Sequence, residues 1–306
     1  MIDRRTFIAG LGYASGLFAL PGAVSAIAGA AKMRTRPIPV SGEALPVVGL
    51  GTWQSFDVGD DSEARVRLEK VIGALVESGG SVIDTSPMYG TSETVLGDLV
   101  AKSAIRDSLF LASKVWTSGA QEGVAQMRAS LAKLRVDTLD LMQIHNLVDW
   151  KTQLATLRRW KDEGRIRYLG ITHYRSSAYA DLARIIKSEP VDFLQVNYSL
   201  AEPESARELL PLAADNGVAV IINRPFAGGQ LFPRVRDKPL PEWAAQFDCA
   251  SWAQFFLKFV LAQPAVTCVI PGTRRPHYML DNALAGSGRL PDAATQARML
   301  EYLRSL

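Results

Sequence analysis

Ser81-Val82-Ile83-Asp84 is a short apolar run that ends on a carboxylate, and Thr85-Ser86-Pro87-Met88-Tyr89-Gly90 follows it directly. The run has the length and branched side chains of a strand, and Pro87 and Gly90 break any continuation. A carboxylate at the last position of a buried strand is costly unless it finds a partner. Two further runs end in the same way. Leu109-Phe110-Leu111-Ala112-Ser113-Lys114 finishes on an ammonium, and Leu139-Asp140-Leu141-Met142-Gln143-Ile144-His145 finishes on an imidazole. If these strands are parallel neighbours, Asp84, Lys114 and His145 share one rim, and Asp84 can pair with Lys114.

The same alternation extends through the chain. Strand runs fall at 47–51, 81–84, 109–114, 139–145, 166–172, 193–197, 218–223 and 267–271. Each is apolar almost throughout, as parallel strands covered on both faces are. Amphipathic helical periods lie between them at 65–78, 124–134, 153–163, 177–188, 206–216, 252–263 and 278–285. Gly79-Gly80, Gly164 and Asn216-Gly217 supply left-handed stops at helix ends. Eight such units without a composition break predict an α/β fold of TIM type, a closed (β/α)₈ barrel. Residues 36–40 and 44–48, joined through Ser41-Gly42, predict an N-terminal β-hairpin across the barrel floor. An open dinucleotide-binding sheet is excluded, because Gly49-Leu50-Gly51 lacks the third glycine and Gln54-Ser55-Phe56 does not start a helix.

With 306 residues and 48% hydrophobic content, the chain can bury one large core. Its 34 basic and 31 acidic residues give a net charge of +3 and are interspersed, which excludes nucleic acid as a partner. Cys249 and Cys268 have no metal-ligand spacing and read as buried, inert thiols. His173 and His277 are too isolated to build a metal site, and none is expected.

Residues 1–30 read as a separate leader, with the barrel at 31–306. Arg4-Arg5 precedes Thr6-Phe7-Ile8 and a weakly apolar Gly/Ala stretch, with A-x-A-like cleavage sites after Ala26, Ala28 or Ala30. This pattern resembles the twin-arginine (Tat) export signal of bacteria. The resemblance implies the Tat machinery as a partner, export of a folded protein to the periplasm, and no stable membrane span after cleavage. The alternative is an uncleaved N-terminal anchor. Five glycines from Gly10 to Gly29, with Pro21, make a poor spanning helix.

Ile83-Asp84-Thr85-Ser86-Pro87-Met88-Tyr89-Gly90, Ser113-Lys114-Val115-Trp116, Gln143-Ile144-His145-Asn146 and Val269-Ile270-Pro271-Gly272-Thr273 together resemble the aldo/keto reductase family. The likeness runs from about Arg36 to the C-terminus. It implies NAD(P)H-dependent reduction of a small carbonyl substrate, with Asp84, Tyr89, Lys114 and His145 as the catalytic group. It implies also a cofactor, NADP with NAD as the alternative, held over the barrel mouth without a Rossmann unit.

By the same resemblance, Gly51, Thr52 and Trp53 border the cofactor, and Gln195 meets the nicotinamide carboxamide. Arg224 reaches the pyrophosphate. Pro271, Gly272, Thr273, Arg274 and Arg275 lead into a helix N-terminus suited to an anion. Arg274 and Arg275 are placed for a ribose 2′-phosphate, and Asp281 and Asn282 for the adenosine end. Three positions depart from the family. Thr172-His173 replaces Ser-Asn, Asn223 stands where a tyrosine stacks on the nicotinamide (Phe226 being its nearest substitute), and Gly272 replaces a lysine. Trp53 and Trp116 would wall the substrate pocket, with aromatic core packing as the other reading. Trp150, Trp160, Trp243 and Trp252 read as packing residues. Specificity would rest on the insertion at 232–249.

The chemistry has its own logic. Carbonyl reduction needs a hydride on carbon and a proton on oxygen. An ammonium about 4 Å from a phenol contributes around 4 kcal/mol at an effective dielectric near 20, more than the roughly 2.7 kcal/mol that would bring a pKa of about 10 down to about 8. Lys114 is therefore expected to lower the Tyr89 pKa, with Tyr89 as general acid and His145 donating to the substrate oxygen. A cofactor-binding regulatory or partner-binding module is the competing role for the same fold. Export raises the question of cofactor supply, answered by a cofactor bound before export or by another electron source.

Overall fold

The computed structural model describes residues 32–306 except Lys102 and Ala104, so the twin-arginine pair and its cleavage sites lie outside the described residues. β1 (Thr35–Pro37) and β2 (Ala44–Pro46) pair antiparallel, with Thr35 opposite Pro46, and Gly42 turns between them at φ 75°. Then follow β3 (Leu50–Gly51), α1 (Ser62–Glu77), β4 (Val82–Asp84), α2 (Ser92–Ala101), β5 (Phe110–Val115) and α3 (Ala120–Leu134). Next come β6 (Leu139–His145), α4 (Trp150–Asp162), β7 (Ile166–His173), α5 (Tyr179–Ser188), β8 (Phe193–Asn197) and α6 (Leu209–Asp215). The chain ends with β9 (Ala219–Asn223), α7 (Leu231–Arg234), α8 (Trp252–Leu261), β10 (Val266–Val269), α9 (Pro276–Leu284) and α10 (Ala293–Ser305).

β3 to β10 form one parallel sheet in sequence order. Bridges from Val48 to Val269 and from Gly51 to Gly272 bring its edges together, so the sheet curls into a (β/α)₈ barrel. Close packing of the first barrel strand against both its neighbours explains the two glycines that could have passed for a dinucleotide fingerprint. A Cβ on Gly51 would lie 2.8 Å from the Ile270 carbonyl oxygen, and one on Gly49 would lie 2.7 Å from that of Val82. They permit close strand approach and do not cradle a phosphate. The first strand is shorter than 47–51 because Val47 and Val48 join the seam through single bridges and bonds.

Strand alternation sorts the core into two regions. Val82, Phe110, Ala112, Leu141, Tyr168, Phe193, Ala219, Ile221 and Cys268 fill the barrel interior, joined by Ile38 and Leu45 from the hairpin. The expected floor plug is thus in place. The intervening residues, such as Ile83, Leu111, Met142 and Ile144, pack outward against the helices. Toward the C-terminal ends, the same inward parity switches from apolar to polar: Val82 to Asp84, Ala112 to Lys114, Leu141 to Gln143 and His145, Phe193 to Gln195. The periodicity that builds the core therefore also delivers the polar side chains to one rim. Among the described residues, no helix is long and apolar enough to cross a membrane.

Candidate active site

Lys114 is fully buried, and its ammonium is held there by a counter-charge and two hydrogen bonds. Nζ donates to Asp84 Oδ2 at 2.6 Å and to the Thr85 carbonyl oxygen at 2.7 Å. Asp84 Oδ1 accepts from Gln143 Nε2 at 3.1 Å and from Gln195 Nε2 at 2.7 Å. Burial pulls the Lys114 pKa down, but Asp84 and Tyr89 outweigh it and hold the pKa above the ordinary lysine value. The pair expected from the strand ends is formed.

Tyr89 reaches this pair from the β4–α2 loop. Its backbone N–H donates to the Ser86 carbonyl at 3.0 Å, closing a turn that presents the ring. Lys114 Nζ lies 5.0 Å from the ring centroid, and the His145 ring meets Tyr89 edge-on at 5.8 Å. The expected lowering of the phenol pKa is overturned. Burial is the largest influence and raises it, Lys114 lowers it, and Asp84 raises it again; the balance lies above the ordinary phenol value. A nearby ammonium alone would lower it, but the loss of water around the hydroxyl disfavours the phenolate more. His145 is shifted the other way: burial first, then Lys114 and His173, depress its pKa to about 3, so its ring is neutral.

Gln195 lies in the inward polar layer as expected, but its amide nitrogen is committed to Asp84 and, at 3.2 Å, to Gln143 Oε1. Its Oε1 lies 3.4 Å from both Thr172 Oγ1 and Asn223 Nδ2. A continuous polar layer thus joins Asp84 to Thr172 and Asn223. His173 stacks on Tyr174 at 5.6 Å and accepts the Arg175 backbone N–H at Nδ1. Phe226 is packed on Phe232 at 4.9 Å and Phe256 at 6.4 Å, an aromatic cluster. Trp53 and Trp116 are 48% and 42% exposed, which removes the core-packing reading for both. Trp116 stands 6.4 Å from the His145 ring.

Around the rim, Thr52 Oγ1, Thr85 Oγ1, Asn146 Oδ1, Asn223 Oδ1 and Arg224 Nε are buried without a hydrogen-bond partner among the described residues. Each ends a barrel strand or immediately follows one. Such atoms are rare in folded proteins and call for a ligand or water. Left-handed backbone gathers in the same loops, at Gln54, Asn146, Leu147, Asp149, Arg224 and Ala227. Strain of this kind concentrates where function holds it.

At the last strand, Pro271 accepts the Gly51 N–H at 3.2 Å, and Thr273 Oγ1 accepts the Arg275 N–H at 3.1 Å. Arg274 reaches across to the Gln54 carbonyl, and Arg275 lies over the Tyr278 ring at 5.6 Å. α9 opens with Pro276 and has no side-chain cap; Tyr278 N–H donates to the Arg275 carbonyl at 3.1 Å, which leaves the His277 N–H as the first-turn donor without a partner among the described residues. Asn282 is buried, while Asp281 ties α9 to α8 by accepting from Ser251 Oγ at 2.7 Å and Gln254 Nε2 at 2.6 Å. The 232–249 insertion docks largely on the outer helices: Trp243 packs on Phe255 and Tyr302, Arg234 bonds the Leu303 carbonyl, and Lys238 the Leu306 carbonyl.

A cavity of about 610 Å³ opens elsewhere, at the hairpin end of the barrel. Part of its polar lining is internally paired, with Arg167 bound to Glu43 and Asp140, and it contains none of the strand-end residues. Both cysteines are free and buried, with the Cys249 thiol pushed up to about 11 by burial. Among the described residues, no cluster of three or more His, Cys, Asp or Glu side chains could hold a metal ion. Sequence reasoning gave no role to Gln143, Ser86 or Asn146. Gln143 was within reach of it, being two residues before His145 and of the same inward parity.

A parallel barrel with a buried Lys–Asp pair beneath a tyrosine and a neutral histidine is suited to proton transfer at an oxygen held on the rim. The model of the Aldo/keto reductase family matches residues 47–297, and the chain belongs to that family. It is 29% identical over 260 residues to methylglyoxal reductase YeaE of Escherichia coli (strain K12), covering 82% of this chain and 90% of that protein. Glyoxal reductase of Bacillus subtilis (strain 168) is 27% identical over 248 residues, covering 79% of this chain and 84% of that one. Among solved structures, an aldo-keto reductase from Klebsiella pneumoniae in complex with NADPH superposes with a TM-score of 0.74 at 24% identity, covering 89% of this chain and 95% of the other.

Proposed function

We propose that this chain is an NADPH-dependent carbonyl reductase for small aldehydes and ketones, with Tyr89 as its general acid. The observation that carries the reading is the buried Lys114–Asp84 pair, 2.6 Å apart, with Tyr89 and His145 grouped above it. When bound, the nicotinamide supplies the hydride for the carbonyl carbon. Tyr89 gives its proton to the carbonyl oxygen, and Lys114, held by Asp84 and the Thr85 carbonyl, stabilises the phenolate left behind. Neutral His145 donates one N–H to the same oxygen and orients the substrate.

The unpartnered Thr52, Thr85, Asn146, Asn223 and Arg224 atoms supply donors and acceptors of the kind a dinucleotide needs. Gly51, Trp53, Thr172 and Gln195 border the nicotinamide end, and Pro271 to Arg275 with Asn282 the phosphates and adenosine. Small dicarbonyls are the first substrates to try, since two relatives are named for methylglyoxal and glyoxal reduction. NADPH oxidation over a panel of aldehydes tests the reading. Tyr89→Phe should remove at least about 100-fold of turnover and leave NADPH affinity unchanged; equal turnover would refute the mechanism.

We infer in addition that residues 1–30 are a twin-arginine leader delivering the folded enzyme to the periplasm. Its support is the Arg4-Arg5 pair before a Gly/Ala-rich stretch. An uncleaved N-terminal anchor is the competing arrangement.

A further inference from the structure

His145 has two ring nitrogens, and the surroundings treat them differently. Nδ1 lies 3.1 Å from Ser86 Oγ, while Nε2 has no hydrogen-bond partner among the described residues. Ser86 is fully buried, and its oxygen already accepts the Met88 backbone N–H at 3.3 Å. The hydroxyl proton therefore needs an acceptor of its own, and His145 Nδ1 is the one within reach. The opposite sense, with Nδ1–H donating to Ser86, would leave that hydroxyl proton buried and unpaired.

The imidazole has one proton to place. Lys114 is the cation facing it, with His173 further along the rim, and burial beside them keeps the ring neutral. Tyr89 and Trp116 pack against it and offer no charge. The Ser86 backbone is itself fixed, since its carbonyl closes the turn to Tyr89 and the preceding Thr85 N–H bonds Ala112 at 2.9 Å.

We propose that Ser86 is a positioning residue that holds His145 as the Nε2–H tautomer, directing its single N–H toward the substrate oxygen. This rests on the reading of the chain as a carbonyl reductase. One residue would then serve both partners of the carbonyl: its main chain presents Tyr89, and its hydroxyl orients the proton of His145.

Long-range ¹H–¹⁵N spectra of the imidazoles report the tautomer directly, and the chain has only three histidines to assign. The unmutated protein should show a pyridine-like Nδ1 and a pyrrole-like Nε2 at His145. Ser86→Ala should shift this toward the other tautomer and lower kcat about tenfold or more, because a wrongly placed imidazole proton is a severe defect. NADPH affinity should not change, and Ser86→Thr should restore both tautomer and rate. Ser86→Cys, a weaker donor of similar size, should show the same spectral change if alanine loosens the turn. An unaltered tautomer with kcat within about twofold in Ser86→Ala overturns the proposal. Full turnover in His145→Gln would instead overturn the catalytic reading itself, so the two failures are distinguishable.

Discussion

Lys114 Nζ stands 5.0 Å from the centroid of the Tyr89 ring, yet the phenol holds its proton more tightly than a phenol in water. The ammonium acts on a hydroxyl that burial has already stripped of solvent, and Asp84 opposes it. Lys114 therefore limits a rise; it does not produce a fall.

The pH dependence of reduction follows from this sign. A general acid works while protonated, so Tyr89 remains competent up to and beyond the ordinary phenol value of about 10. His145 stays neutral down to about pH 3. Log kcat/KM for reduction should be flat between about pH 5 and 9. An inflection between about 6 and 8 that Tyr89→Phe abolishes would contradict it. Stability carries a different signature. Unfolded His145 takes up a proton below about 6.5 and the folded ring resists until about 3, so the contribution present above 6.5 is lost as pH falls through that window.

Asp84→Asn should unfold the protein at lower temperature and abolish turnover. It keeps an acceptor for Gln143 and Gln195 but leaves the Lys114 ammonium buried without its counter-charge, a loss on the order of 3–5 kcal/mol. The double variant Asp84→Asn/Lys114→Met should recover most of the melting temperature and none of the activity. Calorimetry with a parallel assay separates the two; a double variant as unstable as the single one would mean that the charge pair is not the cause.

The polar strand ends were legible because the residue classes conflict with their setting: a charge closing an apolar strand is conspicuous. The sign of the Tyr89 shift was not, since it depends on how deeply a loop residue sits. Three helices also escaped the hydrophobic pattern, the four-residue α7 being too short to show a period. α2 carries Gly97 at its centre, which weakens its propensity, and the structure shows why it stays: a Cβ there would lie 2.0 Å from the Lys133 carbonyl oxygen. α10 buries only Met299 and Leu303, too few to mark an apolar face. Ser86 stands inside the Asp84–Gly90 motif, but its contact with His145, which lies 59 residues away in sequence, is not visible there.

NADPH should bind more tightly than NADH. Arg274 and Arg275 rest on a carbonyl oxygen and a ring face, and among the described residues neither is hydrogen-bonded to a carboxylate, although the Arg274 charge acts on Asp57. A charge-assisted bond contributes about 1.5–3 kcal/mol, so each arginine that engages a 2′-phosphate is worth about tenfold or more in affinity. Arg274→Ala with Arg275→Ala should erase most of the difference. Fluorescence titration measures it, and equal affinities in the unmutated protein would dismiss this role.

Replacing Arg4 and Arg5 by lysine should leave a folded, uncleaved precursor in the cytoplasm. The charge is preserved, but the planar donor set of guanidinium is not. A general secretion signal or an anchor needs only positive charge and should tolerate the change. Fractionation with an activity stain distinguishes the cases; normal export of the lysine variant would exclude the twin-arginine reading.

Ile38 and Leu45 close the hairpin end of the barrel with apolar side chains, so that among the described residues the polar layer opens toward the opposite rim. Everything that reacts there must use a single doorway. A molecule lodged deeper than its neighbour would have to arrive first and depart last, and traffic would then be sequential. A dinucleotide seated beneath its substrate would be retained for as long as the doorway is occupied.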